Sequence, residues 1–290
     1  MLLRIAVCLA LCAVISPAVS WAEPPEGYKL VWADEFNEDG PPSDDDWRHE
    51  RGLVRNFEAQ WYQPQNATCN DGLLVIEARK EDVANPKYEL GSSDWRRVDP
   101  VVHYTSSSIQ TSGLHEWQYG VFEIRARIDA RPGLWPAIWT LGRRGGWPGG
   151  GEIDIMEYYD HSILANACWQ GKKRYQQKWD EVTVPLKEFD DGWAKEFHIW
   201  RMDWNAERII LSVDDRELNT IDLAEVDRTM GTRNNPFRQP HYLLLNLAVG
   251  GTRGGDPSDT KMPGRYEVDY VRVYQRADES ERRGSENSGR

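Results

Sequence analysis

Short runs in which apolar and polar residues alternate recur along the chain between turn-forming segments. The clearest covers residues 121–128, where Phe122, Ile124 and Ala126 fall on one face and charged side chains fall on the other. This period of two is typical of a strand with one buried and one exposed face. Comparable runs cover residues 73–78, 197–204, 209–213, 242–247 and 266–274.

The remaining pattern favours an all-β protein. No long stretch has helical periodicity, and we expect one short helix at residues 223–230. The sequence has no internal repeat and no composition typical of a linker between domains. Many short strands without helices indicate two antiparallel sheets packed face to face in one large domain.

The two ends of the chain differ from this middle part. Residues 1–22 are expected to be a secretory signal peptide, with Arg4 at the start, an apolar run over residues 5–15, and cleavage after Ala22 or, alternatively, Ser20. Residues 276–290 are charged and contain Ser and Gly, so we expect a disordered tail. These features predict a secreted or periplasmic protein whose mature form, residues 23–275 with the tail, is not held in a membrane.

Charge and cysteine content narrow the function further. The formal charge of −12, without a basic stripe, zinc-finger spacing or phosphate-binding glycine loop, argues against nucleic acid as a partner. Cys69 and Cys168 remain after removal of the signal peptide, and they could either pair as a disulfide or stay as free buried thiols.

The strongest candidate for chemistry is the run of residues 151–159, which holds three carboxylates. In a regular strand Glu152 and Asp154 share a face and Glu157 points to the other one. A one-residue bulge near residues 155–156 would bring Glu157 back to the first face. The backbones of the two glutamates would then lie roughly 13 Å apart, and their side chains could approach the ~5–5.5 Å of a retaining glycosidase pair.

The alternative interpretation of this run is an edge strand with charges on its solvated face. The apolar residues Ile153, Ile155 and Met156 favour a packed strand instead, because charged residues are otherwise depleted from strands. Three carboxylates in one cleft cannot all ionise cheaply, so the pKa of at least one must rise. A carboxylic acid that stays protonated near neutral pH is what a glycosidic leaving group requires.

At this point the chain resembles glycoside hydrolase family 16, in the bulged Glu-x-Asp-x-x-Glu form of laminarinase-like members. The resemblance covers roughly residues 28–275 and rests on segments that occur in the family's order. They are WADEFN (32–37), NFEAQWY (56–62), GVFEIRAR (120–127), GLWPAIW (133–139), NLAVGG (246–251) and VDYVRVY (268–274). The resemblance implies a β-jelly roll of two curved sheets with a concave substrate cleft.

The resemblance also assigns roles to the carboxylates. It implies that Glu152 is the nucleophile, that Glu157 is the general acid and then the base, and that Asp154 hydrogen-bonds the nucleophile. The residue pattern by itself predicts that the three carboxylates form a site, but it does not say which of them is the nucleophile and which is the general acid. No cofactor is required for such a reaction.

Further positions match parts of the family that bind sugar or metal. Asn56 and Glu58 match the glycone side of the cleft, and Trp135, Trp139 and Trp147 could stack on sugar rings, although a core role is also open for any single tryptophan. We expect Trp32 and Trp200 in the core. The resemblance implies one structural Ca²⁺ held by the backbone carbonyls of Glu35 and Gly72 and by Asp269.

Two positions depart from the laminarinase-like pattern. Cys168 stands where a histidine is usual, and Arg253 stands where an aromatic residue is common, so the identity of the polysaccharide stays open between β-1,3-glucan and marine galactans. Basic loops at residues 96–97, 143–144 and 172–174 could hold an anionic polysaccharide or could be solvated loop charges.

The expected function is therefore that of an exported, endo-acting, retaining β-glycosidase that acts as a monomer on a polysaccharide. Two alternatives share the fold: a transglycosylase, in which a sugar hydroxyl replaces water, and a glycan-binding module without catalysis. The complete trio of carboxylates argues against the second alternative, since binding alone does not need it.

Overall fold

The computed structural model describes residues 24–230 and 234–277, which form a sandwich of two β-sheets. The expected signal peptide and nearly all of the expected tail lie outside the described residues. The strands in chain order are β1 (Tyr28–Asp34), β2 (Arg48–His49), β3 (Gln60–Tyr62), β4 (Ala67–Asn70), β5 (Leu73–Ala84), β6 (Val101–Ser106), β7 (Ser108–Gln110), β8 (Gly120–Arg127), β9 (Leu134–Gly142), β10 (Glu152–Tyr159), β11 (Ser162–Gln170), β12 (Gln177–Pro185), β13 (His198–Trp204), β14 (Arg208–Val213), β15 (Arg216–Asp222), β16 (His241–Val249) and β17 (Gly264–Arg276).

One sheet, here called the cleft sheet, has the order β12-β11-β10-β9-β16-β7-β2 and pairs its strands antiparallel. The other, the outer sheet, has the order β15-β14-β13-β8-β17-β5-β6-β3, with β1 on β17 and β4 on β5. Its pairs are antiparallel except β3 with β6. This is the jelly-roll sandwich that the sequence predicted.

Helices are few and short. The predicted helix is confirmed as α1 (Leu223–Met230), which buries Leu223, Val226 and Met230 on one face because they lie at helical spacing. A single-turn helix, α2 (Gly251–Gly254), follows β16. Within the described ranges, no helix combines the length and the apolar character needed to cross a bilayer.

The core fills the space between the sheets. Phe122, Ile124 and Ala126 of β8 are fully buried, as their alternation predicted. Trp200 is also fully buried, whereas Trp32 is only partly buried and packs on the edge of the core. Each large apolar side chain removed from water stabilises the fold by about 1.5–3 kcal/mol before the entropic cost of ordering is subtracted.

The charged face of β8 forms ion pairs on the outer sheet. Arg125 binds Asp269 of β17 at 2.5 Å, and Glu123 binds Arg201 of β13 at 3.0 Å. These residues belong to a salt-linked sheet surface and do not line the cleft described below.

The question of the cysteines is settled in favour of free thiols. Cys69 on β4 and Cys168 on β11 are both buried and unpaired. Burial raises the pKa of both thiols, that of Cys69 to about 12, so neither is a thiolate at neutral pH.

Candidate active site

Strand β10, which carries the three carboxylates, contains the predicted bulge. Against β11, Glu152 pairs with Cys168 and Asp154 with Asn166, but Glu157 pairs with Leu164. The two residues Ile155 and Met156 therefore oppose the single residue Ala165, and both are fully buried in the core. The register then places Glu157 on the same face as the other two carboxylates.

That face is the floor of a cleft of about 790 Å³ across the cleft sheet. All eight residues predicted for catalysis or sugar binding line it: Asn56, Glu58, Trp135, Trp139, Trp147, Glu152, Asp154 and Glu157. A mostly pre-formed concave site lined by aromatic rings and a few convergent polar groups is the usual form of a ligand site.

Glu157 is held by two donors on neighbouring strands. Trp135 Nε1 donates to Glu157 Oε1 at 2.9 Å, and Asn166 Nδ2 donates to Glu157 Oε2 at 3.4 Å. Burial raises the pKa of Glu157 to about 7, although these hydrogen bonds and the charge of Arg253 pull it down. The carboxyl group can thus carry a proton near neutral pH.

Glu152 and Asp154 lie in the same electrostatic environment. Burial, followed by the charge of Glu157, raises the pKa of Glu152 to about 7, while a hydrogen bond from Trp147 and the charge of Arg55 lower it. Burial also raises the pKa of Asp154 well above its ordinary value, with Glu157 and Glu152 as the next causes. The three groups therefore share fewer than three negative charges near neutral pH.

Asp154 lies between the two glutamates in the sequence of the strand. Its Oδ2 atom is buried and has no hydrogen-bond donor among the described residues. A hydrogen bond between Asp154 and Glu152 needs a proton on one of the two carboxyl groups, and it stays a prediction of the family resemblance. Burial disfavours the charged form of Asp154, so its carboxyl group can carry that proton.

The tryptophans contribute in different ways. Trp147 is 47% exposed and offers the cleft an open ring, whereas Trp135 and Trp139 are buried. The Trp139 indole donates to Asn246 Oδ1 at 2.7 Å, and the Arg55 guanidinium lies over its ring at 5.0 Å. Trp139 is therefore part of the cleft wall and has one face already covered.

Arg55 is the main cleft residue that sequence reasoning missed. Its Nη2 binds the Glu50 carboxylate, and its charge lowers the pKa of Glu58, which burial otherwise raises. Glu58 accepts from Asn56 at 3.3 Å and from Gln60 at 2.8 Å. The signal for Arg55 was its position directly before the Asn56 motif, but its inward direction depends on a turn that the sequence does not reveal.

Strand β12 supplies the other side of the cleft and was also missed. Gln177, Trp179 and Glu181 line it, which follows from their period of two and from the pairing of Trp179 with Cys168. Their alternation was visible in the sequence, but the register that aligns β12 with the catalytic strand was not.

The basic loops at residues 96–97, 143–144 and 172–174 contribute no residue to the lining of the cleft. Arg143 pairs with Glu116, Arg96 with Asp94, and Arg97 with Glu89. The arginines in the cleft wall are Arg55 and Arg253, and the Arg253 guanidinium lies 5.7 Å from the centre of the Tyr159 ring.

The calcium site proposed from the resemblance combines two backbone carbonyls, those of Glu35 and Gly72, with the side chain of Asp269. The Asp269 carboxylate is already bound by Arg125. A carboxylate that pairs with an arginine is a weaker ligand for Ca²⁺, so the ion stays a prediction of the family resemblance alone.

A larger groove of about 1080 Å³ lies elsewhere, between residues 127–131 and 185–195. Its aromatic faces are already occupied, since Trp193 stacks on Phe189 at 4.1 Å and on His198 at 3.8 Å. This groove lacks both the carboxylate trio and a free ring for a sugar.

Comparison with known proteins agrees with the site. The model of glycosyl hydrolases family 16 matches residues 54–272. A beta-glucanase of Rhodothermus marinus is 34% identical, with 85% of each chain covered.

Two solved structures have closely similar folds. One, from work on endo-acting O-glycanases with which prominent members of the human gut microbiota initiate mucin breakdown, has a TM-score of 0.81 at 34% identity and covers 89% of this chain and 94% of its own. The laminarinase catalytic domain of Thermotoga maritima has a TM-score of 0.71 at 33% identity and covers 86% and 99%. The bulged catalytic strand, the cleft it lines and these matches together show that the chain belongs to glycosyl hydrolase family 16.

Proposed function

We propose that this protein is an endo-acting, retaining β-glycosidase. The observation that carries the proposal is the pair Glu152 and Glu157 on one face of the bulged strand, close enough that the charge of one raises the pKa of the other. In the first step the Glu152 carboxylate attacks the anomeric carbon, and Glu157 gives its proton to the oxygen of the departing sugar. The glycosidic bond breaks as the bond to Glu152 forms.

In the second step Glu157 acts as a base. It takes a proton from a water molecule, whose oxygen attacks the anomeric carbon and releases Glu152 as a carboxylate. The donors Trp135 and Asn166 stabilise the negative charge that Glu157 carries between the two steps. Both glutamates end the cycle in their starting protonation states.

For the substrate, we propose a β-linked chain of a mucin-type O-glycan. Sequence identity to the O-glycanase structure and to the laminarinase is nearly equal, 34% and 33%, but the TM-score is higher for the former, 0.81 against 0.71. Cys168 and Arg253, the departures from the laminarinase-like pattern, are both at the site: Cys168 pairs with Glu152, and Arg253 lines the cleft.

A second candidate is β-1,3-glucan, which is favoured by the bulged motif and by the beta-glucanase relative. Either polymer is too large to enter a cell readily, so both candidates fit the proposed export by the signal peptide at residues 1–22.

A reducing-end assay against O-glycans released from gastric mucin, laminarin, agarose and κ-carrageenan tests the function. Glu152→Gln should abolish cleavage, and Glu157→Gln should reduce it by about 10²–10⁴-fold because general acid catalysis is lost. Glu207→Gln, an exposed turn residue, is the matched control and should keep the parent rate. Full activity of either catalytic variant would refute the assignment.

The stereochemistry of the product decides the mechanism. Proton NMR at early times should show the β-anomer first, followed by slow mutarotation. An α-anomer as the first product would contradict a retaining reaction. Longer products at high oligosaccharide concentration would favour transglycosylation over hydrolysis.

A further inference from the structure

An exposed aromatic residue stands next to the cleft in an unusual backbone conformation. Phe57 lies between the cleft residues Asn56 and Glu58, and it is 64% exposed. Its backbone has φ = 54°, and that of Asn56 has φ = 55°. Asn tolerates this left-handed region, but for a bulky residue it is an outlier that costs free energy.

Contacts from two other segments fix this conformation. Arg96 Nε donates to the Val54 carbonyl at 3.3 Å, and the Thr252 N–H donates to the Asn56 carbonyl at 2.8 Å. Hydrogen bonds thus hold the turn on both sides of Phe57, and the backbone conformation that they fix exposes the Phe57 ring to solvent. A strained residue kept in place by its surroundings is a reasonable starting point for a functional hypothesis.

A second aromatic ring supports Phe57. The Trp95 ring lies 5.1 Å from the Phe57 ring, at an angle of 33°. Arg96 covers Trp95 with its guanidinium 5.4 Å from the ring centre. Trp95 is therefore packed, while Phe57 keeps an open face toward solvent. We call these two residues the Phe57–Trp95 platform.

The platform continues the cleft in one direction. On one side of β10, two strands away, β12 with Trp179 forms the edge of the cleft sheet. On the other side, β16 is also two strands from β10, and Glu58 forms a β-bridge with Gly250, which directly follows β16. Phe57 follows the cleft residue Asn56 directly in the chain, so the platform lies at the Asn56 end of the cleft and beyond its lining. The family resemblance implies that this end is the glycone side.

We propose that Phe57, supported by Trp95, binds a sugar ring of the substrate chain on the glycone side, beyond Asn56. The open face of Phe57 suits the C–H face of a pyranose, and the cost of exposing it in water is removed when the sugar covers it. This inference rests on the proposed function, since the occupant is a longer piece of the same glycan. The platform then makes the enzyme prefer long chains.

Binding to an inactive protein tests this directly. In the Glu152→Gln background, affinity is measured by calorimetry for laminari-oligosaccharides from disaccharide to hexasaccharide and for size-fractionated O-glycans from gastric mucin. Phe57→Ala should weaken binding of the longest ligands roughly 3- to 10-fold, as expected for the loss of one stacked ring, and should weaken the shortest ones least. Trp95→Ala should have the same dependence on chain length.

Leu90→Ala is the matched control, because Leu90 is apolar, 87% exposed and on the same loop as Trp95. Phe57→Gly separates binding from folding: glycine adopts φ = 54° freely, so its melting temperature should not fall while affinity for long ligands does. Equal affinity of Phe57→Ala and parent for all lengths, or an equal loss at every length, would overturn the platform. Failure of the parent to cleave any polymer would instead refute the proposed function, which the assay with active protein reports separately.

Discussion

Glu157 lies between groups of opposite charge, and this sets the pH at which it can act as an acid. Arg253 lowers its pKa and Glu181 raises it, on top of the larger effect of burial that brings it to about 7. In the proposed mechanism cleavage needs the protonated form of Glu157, so the alkaline limb of kcat against pH should report this group. Two single substitutions should therefore move that limb in opposite directions.

Arg253→Gln removes a positive charge, so the pKa of Glu157 rises and the alkaline limb should move to higher pH. Glu181→Gln removes a negative charge, so the limb should move to lower pH. Both shifts should shrink at high salt, because both side chains border a solvent-filled cleft.

Arg143→Gln is the control, since Arg143 pairs with Glu116 and does not line the cleft. Its profile should match that of the parent. Shifts of the same sign in the two cleft variants would show that the alkaline limb belongs to another group.

Individual side chains also mark the limit of what the sequence reveals. All eight residues predicted for catalysis or sugar binding line the cleft, because they belong to motifs with fixed spacing. Arg55 and Trp179 were missed, since their direction depends on a turn and on a strand register that only tertiary packing determines.

At the scale of elements, the bulge in β10 is the feature on which the site depends. In the bulge two residues of β10 lie opposite one residue of β11, so Ile155 and Met156 both face the core and Glu157 faces the cleft. Removing one of the two residues should restore a regular strand without changing the pairing of Glu157 with Leu164. Adding one would also give a regular alternation with Glu157 on the cleft face, but it would move Glu157 two strand positions, roughly 6–7 Å, further from Asp154 and Glu152.

We therefore expect that deletion of Met156 leaves measurable hydrolysis, with a stability loss of about 2–5 kcal/mol from the lost core side chain. Insertion of Ala between Ile155 and Met156 should abolish hydrolysis. Denaturant unfolding and the reducing-end assay measure both quantities. Higher activity of the insertion variant than of the deletion variant would contradict the role given to the bulge.

The strands themselves were largely predictable from alternation. β8, β13 and β17 follow their runs closely, because one face of each meets the core. Strands β2 and β3, with two and three residues, are too short to produce a periodic signal. Their existence is decided by the neighbours they pair with.

For the whole molecule, the best-defined stability contribution outside the core is the pair of Glu35 and Arg272. It is largely buried and joins the segment after β1 to β17 by two hydrogen bonds. Glu35→Gln removes the negative charge beside a largely buried guanidinium and should cost about 3–5 kcal/mol of unfolding free energy. Glu188→Gln, which breaks an exposed pair with Arg216, should cost at most about 1 kcal/mol.

Urea unfolding followed by tryptophan fluorescence measures both variants. Cleavage at low temperature should be unaffected by either, because both pairs lie outside the cleft. Equal losses of stability in the two variants would show that burial does not decide the strength of these pairs.

The position of β17 has a consequence for how the protein is made. Among the described residues it is the last strand in chain order, yet it lies inside the outer sheet, bonded to β8, β5 and β1. Tyr28 of β1 pairs with Arg276 of β17, so β1 cannot take its place in the sheet until β17 has been synthesised. Completion of the outer sheet is therefore a late event, which follows the synthesis of nearly all the described residues. Removal of β17 would leave an unfinished sheet rather than a smaller enzyme.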